Sequence, residues 1–411
     1  MSKRQARAMT VLAGVILVRG FASGGINMTA SLFLPSVAGE LRVGIGTLSV
    51  YFSIMSVVTV LWLPLAGGLI NRYPVRLLVP LAAALQALSF AGFGLMRHVA
   101  GWYLLCVPQA MGAAILTGLL GPILINRWFP RSTGRVLGLQ MACVWLFAAA
   151  LQPLTSRMIE QRGWRDAYIA SGLTAFAVMA AAALLLLRDR PADREAQARN
   201  PGDAEPFHGV QIAEREAVHS ASFALLLIFM IAMTGAAVFT QHIPTYGAML
   251  GYSLSQSGLA MALSSVGSAV GSLAIGLVCD RVGGLKTCYG VIALWMLAVA
   301  GFLLGGAGFG MFAAASLLHG AASASIAVIA PILTIAFYGK RDYERIYAKV
   351  SMGAPLSSIL LVPAYGFIYD ATGSYAAVLV LMLALLCAAG LGIMLGWRKR
   401  CTAAGCPTWR K

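Results

Sequence analysis

Charge is scarce in this 411-residue chain: Asp, Glu, Lys and Arg together make up 11% of it, where a soluble domain carries about 25%. With 59% apolar residues and a mean hydropathy of +0.81, a soluble globular fold is excluded. Negative charge is scarcer still, 14 acids against 30 bases. None of the acids falls inside an apolar run: Glu40, Glu160, Asp166 and Asp370 stand at the ends of such runs, and the rest lie in polar segments. The net charge of +16 is spread over short basic clusters at the ends of apolar runs, which excludes the continuous basic stripe of a nucleic-acid binder. The seven cysteines, Cys401 and Cys406 in the tail among them, have no metal-ligand spacing and imply neither a zinc site nor a disulfide framework. No nucleophile, base and orienting group stand at motif spacing, and no phosphate-binding loop is present. Neither an enzyme nor an ATP-driven pump is expected, and no catalytic residue, metal or cofactor is assigned.

Long apolar runs are abundant. A membrane-crossing helix needs about 20 mainly apolar residues, and twelve such runs occur, near 9–35, 45–70, 77–96, 102–125, 136–158, 166–187, 222–250, 254–279, 287–307, 310–338, 347–369 and 375–397. The first follows Lys3, Arg4 and Arg7 like a signal peptide, but its length and the eleven spans behind it make it a retained helix. With the N-terminus on the cytoplasmic side, cytoplasmic segments hold 24 of the 30 basic residues and outer loops hold 5. Both termini are therefore expected in the cytoplasm of a cell carrying this protein in its inner or plasma membrane. The organisation expected is an N-terminal six-helix bundle over 1–187, a cytoplasmic linker over 188–221, a second bundle over 222–397 and a tail over 398–411. The linker is rich in Pro, Asp, Glu, Arg and Ala and carries no chemistry, His208 and His219 included.

The halves repeat one another. Asn71-Arg72 in "GGLINRYPVR" and Asp280-Arg281 in "GLVCDRVGGLK" are 209 residues apart. Pro-Ile-Leu recurs from 122 to 331, and aromatic Trp128 is matched by Phe337, each at the same offset. A duplicated six-helix unit crosses the membrane an even number of times, so its copies run parallel, an arrangement of secondary carriers.

"G-x-L-x-N-R-x-P-x-R" and "G-x-V-x-D-R-x-G" resemble the signature loops of the major facilitator superfamily, and the likeness covers nearly the whole chain. The first copy has Asn71 and Pro74 where the pattern usually has Asp and Gly. The resemblance implies an all-α membrane protein of twelve helices in two pseudo-symmetric bundles. It also implies a conformational latch from Gly67, Asn71, Arg72, Arg76, Gly276, Asp280, Arg281 and Gly283. In it the glycines allow close helix approach and the arginines reach helix C-terminal carbonyls. "NRWFPRSTGRVLGLQMACVW" through "EQRGWRDAY", with "FYGKRDYERIYAKVSMGAPLSSILLVPAYGFIYDATGSYAAV", resembles the monocarboxylate and oxalate/formate exchanger branch, although spans 8 and 11 lack the basic residue such members often carry.

One basic residue is left over from the loop count, and it is Arg19, in "VILVRGFASGG". Ten residues into the first span it lies about 15 Å deep in a core about 30 Å thick. Such a residue should face the bundle interior, and Ser23, Asn27 and Ser31 continue its face at helical spacing, with Gly20, Gly24 and Gly25 beside it. With no embedded acid to neutralise it, Arg19 is expected to hold an anionic substrate; the alternative is that it snorkels towards the cytoplasmic headgroups or ties down backbone carbonyls at a helix break. Asn27 and Gln109 are expected to add hydrogen bonds, Trp145 an apolar wall, and His319 a coupled proton. Gln241, His242 and Tyr246 are candidates for the outer cavity or gate. The Ser264, Ser268 and Ser272 stripe, with Gly267 and Gly271, reads as close helix packing. The expected function is alternating-access transport of a small organic anion, monocarboxylate-like, by symport, antiport or uniport, in a monomer within the lipid bilayer and without nucleic-acid partners. Alternatives are export of amphipathic or neutral compounds and a receptor that does not transport.

Overall fold

The computed structural model describes residues 3–129, 132–188, 213–339 and 342–403; among them the fold is helical, with no strand. Ten helical stretches are each long and apolar enough to cross a membrane. One of them, Arg135–Leu185, would run about 76 Å at 1.5 Å per residue, more than twice the thickness of a hydrocarbon core. Gly163, at φ +83 and ψ 161, divides it into two crossings. One more crossing is made of two shorter pieces, Phe309–Ser323 and Ile326–Tyr338, interrupted at Ala324 and Ser325. Among the described residues the crossings thus number twelve: α1 (Ala6–Leu41), α2 (Ile45–Ile70), α3 (Val75–Phe93), α4 (Ala100–Trp128), α5 (133–162), α6 (164–185), α7 (Ala221–Met249), α8 (Leu254–Val282), α9 (Gly284–Leu303), α10 (Phe309–Tyr338), α11 (Arg345–Thr372) and α12 (Ala376–Trp397). The linker expected over 188–221 falls largely on 189–212, outside the described residues, as do His208 and the tail beyond Ala403.

Large apolar side chains such as Leu77, Leu104 and Leu185 are mostly exposed, as lipid-facing residues should be. Inside, aromatic clusters do the packing. Phe33 of α1, Phe90 and Phe93 of α3, Trp102 of α4 and Trp164 and Tyr168 of α6 form one set of ring contacts. Phe239 and Tyr246 of α7, Phe302 of α9, Phe312 of α10 and Tyr375 before α12 form another. The small-residue stripe of α8 packs as its spacing predicts: Gly267 faces the Leu317 carbonyl, and Ser268 donates to the Gly320 carbonyl at 3.0 Å.

The two halves meet along α2 with α11 and α5 with α8. Hydrogen bonds joining them cluster at the end away from the termini: Ser53 donates to the Ile359 carbonyl at 2.6 Å, and Ser265 donates to Gln152 at 3.0 Å. A Cβ on Gly366 would lie 2.6 Å from the Gly46 Cα, so α2 and α11 touch backbone to backbone. Toward the termini the seam is parted. Val60, Leu61 and Leu63 of α2 and Leu273 and Leu277 of α8 are exposed, and a Cβ at Gly67 or Gly276 would meet nothing within 4 Å.

The latch loops take different turns. Pro74, at φ −64 and ψ 136, starts α3, whereas Gly283, at φ +87, ends α8 in a conformation that favours glycine. Arg76 Nε donates to the Leu187 carbonyl at 3.0 Å, beyond the end of α6. Trp128 Nε1 donates to the next-door Arg188 carbonyl at 3.1 Å. The Arg72 guanidinium stands 5.9 Å from the Tyr73 ring, and Arg281 is exposed. The side chains of Asn71 and Asp280 lie outside the described residues.

Candidate functional site

Three crossings of the first half loosen from α-helix to π-helix at mid-length: Gly20–Asn27 in α1, Ala84–Leu88 in α3 and Ala114–Leu119 in α4. In α1 the glycines account for the widening. Gly20 packs on the Phe147 ring, and a Cβ at Gly24 would lie 2.8 Å from the Ala148 backbone nitrogen, so α5 presses directly on this turn. The α-helical stripe expected through Ser23, Asn27 and Ser31 is accordingly broken; Ser31 ends buried against Met261. π-Segments free carbonyls from the α ladder and are common at functional sites.

The freed groups are met by side chains. Arg19 is buried; its Nη1 donates to Gln140 Oε1 and its Nη2 to the Thr117 carbonyl at 2.6 Å, within the α4 π-segment, while Nε has no partner. Gly121 leaves room for it, since a Cβ there would lie 2.5 Å from Arg19 Nη1. Among the described residues no carboxylate pairs with Arg19, whereas Arg165 pairs with Glu40 at 2.9 Å. Gln86, fully buried in the α3 π-segment, donates to the Ala22 carbonyl at 2.9 Å and to Asn27 Oδ1 at 3.0 Å.

A cavity of about 480 Å³ opens beside this cluster, between α1, α2, α4, α7 and α11. That volume is in the range of small-molecule sites. Asn27, Gln109 and Gln241 line it together with Thr117 and the hydroxyls of Ser56, Thr59 and Ser358, among apolar residues such as Phe52 and Val238; no residue of its lining is charged. Gln109 is buried, yet both ends of its carboxamide lack a partner. Leaving a buried donor and acceptor unmet costs about 1–3 kcal/mol each, which marks this amide out among the polar groups of the lining. Arg19 stands one residue behind the wall, bonded to the Thr117 carbonyl.

The remaining candidates lie elsewhere in this conformer. His319 is buried against Trp295, Phe302 and Phe239, with Nε2 3.3 Å from the Ala236 carbonyl. His242 has both ring nitrogens engaged, with the Tyr375 hydroxyl at 3.0 Å and the Val362 carbonyl at 2.8 Å. Tyr246 is buried and donates to the Phe302 carbonyl at 2.5 Å. Trp145 is half-buried on α5 and is not part of the lining. Sequence reasoning passed over Gln86, Gln140 and Thr117. The two glutamines carried the signal used for Gln109, a lone amide in an apolar span; Thr117 acts through its backbone and carried none.

The family model of the Major Facilitator Superfamily matches residues 15–304 and 250–405. No curated protein matches the sequence. Among solved structures, the nucleoside transporter NupG superimposes with a TM-score of 0.73 at 11% identity, over 95% of this chain and 99% of that one. A bacterial homologue of the human lysosomal transporter Spinster, inward-facing and unoccupied, gives 0.63 at 15% identity, over 98% and 95%.

Proposed function

Since this chain belongs to the Major Facilitator Superfamily and is a transporter rather than an enzyme, we propose that the solute it moves by alternating access is a small organic anion, monocarboxylate-like, taken up in the cavity between the halves. With both termini in the cytoplasm, as the basic-residue count implies, the parted end of the seam faces inward. The observation that carries this reading is Arg19, a buried guanidinium with neutral partners, backing the cavity wall at Thr117. A charge so placed is poorly compensated. In a low-dielectric surround it repels cations from the cavity and draws an anion toward α4. Asn27, Gln109 and Gln241 supply the neutral hydrogen bonds. His242 has both ring nitrogens engaged, and His319, with Nε2 near the Ala236 carbonyl and Nδ1 unpartnered, is buried away from the cavity lining, so exchange or uniport suits the site better than proton symport through a histidine.

A second reading has its own observation: the lining is uncharged and offers a free carboxamide, which also suits a neutral polar solute with an adjacent donor and acceptor. The nucleosides of the NupG likeness are one such class. Arg19 is then a structural tie for the α4 π-segment. Melting midpoints in detergent separate the two, using monocarboxylates, nucleosides and lipophilic cations with wild type and Arg19→Ala. A ligand at about 100 times its Kd stabilises by about 2.7 kcal/mol. Carboxylates are expected to raise the wild-type midpoint and to lose that effect in Arg19→Ala. Equal stabilisation of both forms by nucleosides would overturn the anion reading.

A further inference from the structure

Two carboxylates reach across the closed end of the seam, each to the opposite half. Asp370, near the C-terminus of α11, accepts from the backbone N–H of Ile45 at 2.9 Å and of Gly46 at 2.7 Å, the first two residues of α2. Glu160, near the C-terminus of α5, accepts from the Ser255 backbone N–H at 2.8 Å and from its hydroxyl, at the second residue of α8. The first N–H groups of a helix have no partner within it and carry partial positive charge, so a carboxylate there is stabilising.

Local sequence prepares both contacts. The N-cap of α2 is Gly44, which has no side chain to offer, and a Cβ there would run into the Asp370 carboxylate. The cap of α2 therefore comes from the other half. In α8, Ser253 and Gln256 form a capping box and leave the Ser255 N–H to Glu160.

The two contacts are copies of one another. Gly46 and Ser255 are 209 residues apart, the offset of the internal repeat, and Glu160 and Asp370 are 210 apart. Gly163 and Gly373, three residues beyond each carboxylate, are also 210 apart, and both adopt positive φ, +83 and +66.

We propose that Glu160 and Asp370 are a matched pair of gate residues, each holding the N-terminus of a helix in the opposite half and both released together when the transporter opens toward that side. A rotation that parts α2 from α11 also parts α5 from α8, so neither contact survives the opening alone. They are positioning residues, and the inference rests on alternating access, not on which solute the cavity takes.

The test reads gate opening far from one of the two carboxylates. Ser53 is buried on the α2–α11 seam. The labelling rate of Ser53→Cys is measured with a membrane-impermeant maleimide added from the gate side, against the same protein without that cysteine. Asp370→Ala is expected to raise the rate about threefold to tenfold, the scale of losing one charged helix cap. Glu160→Ala, on the other seam, is expected to raise it by a similar factor, and the double variant by about the product. A Glu160→Ala rate within about twofold of the parent would make the two contacts separate local caps and overturn the pairing. Should the alanine variants lose their monodisperse profile, Asp370→Asn and Glu160→Gln carry the test. They keep an acceptor oxygen without the charge, and rates equal to the parent in both would overturn it. A ligand panel that fails to favour anions leaves this expectation unchanged.

Discussion

Gly320→Val is expected to leave little folded transporter. A Cβ at this position would sit on the Ser264 backbone carbonyl, and Ser268 already donates to the Gly320 carbonyl at 3.0 Å, so α8 and α10 have no space to yield. Overpacking costs typically about 1–3 kcal/mol when side chains can shift; here the obstacle is backbone, and the contact belongs to a helix pair that associates through small residues. The melting midpoint in detergent should fall by roughly 4 °C or more, at about 1–2 °C per kcal/mol for a chain of this length, with most material lost from the monodisperse peak. Gly320→Ala should show a smaller loss in the same direction. A valine variant within about 2 °C of wild type would mean that the two helices are not in contact there.

Gln109→Leu should move stability and transport in opposite directions. Wild type keeps a buried carboxamide with neither end paired, and removing such groups is neutral or stabilising, by about 1 kcal/mol. Leucine is close to isosteric, so the packing around α4 is retained. If Gln109 completes its hydrogen bonds with the transported solute, its loss should lower uptake about tenfold to a hundredfold, the equivalent of about 1.5–3 kcal/mol of polar recognition. Uptake into proteoliposomes and the melting midpoint are read on the same preparation. Unchanged uptake would remove Gln109 from the solute path, and a falling midpoint would mean that its amide has a structural partner.

The twelve crossings and the repeat could be read from the sequence because both rest on strong local signals: apolar run length, Lys and Arg at span ends, and an offset of 209 residues shared by three motif pairs. Asn27 and Gln109 could be marked as candidates because an amide in an apolar span has few uses other than bonding or recognition; Gln241, marked for the outer mouth, shares their lining instead. The break in the stripe below Arg19 could not be foreseen. Helical spacing assumes 3.6 residues per turn, and the π-segment at Gly20–Asn27 arises from tertiary pressure of Phe147 and Ala148 on glycines. The detachment of His319 from the cavity was hidden for a related reason: depth along α10 was readable, but the side on which Trp295 and Phe302 would enclose it was not. Glu160 and Asp370 stood in the sequence at matched places, yet each meets its partner only across the seam, where one chain segment says nothing about another.

The three π-segments all belong to α1, α3 and α4, and the corresponding helices of the second half among the described residues contain none. A π-turn carries one residue more than the α-turn on either side, and that surplus can migrate along a helix by exchanging one hydrogen bond at a time. As it passes, each side chain swings through about a quarter of a turn while the helix ends stay put. Such a shift in the first half would reposition Asn27, Gln86 and the Thr117 carbonyl, whereas the second half is interrupted instead by a 3-10 turn at Val238–His242 and a break at Ala324 and Ser325. The two copies of one unit would then adjust the same cavity by different means, the first by sliding a π-turn and the second by bending at a break.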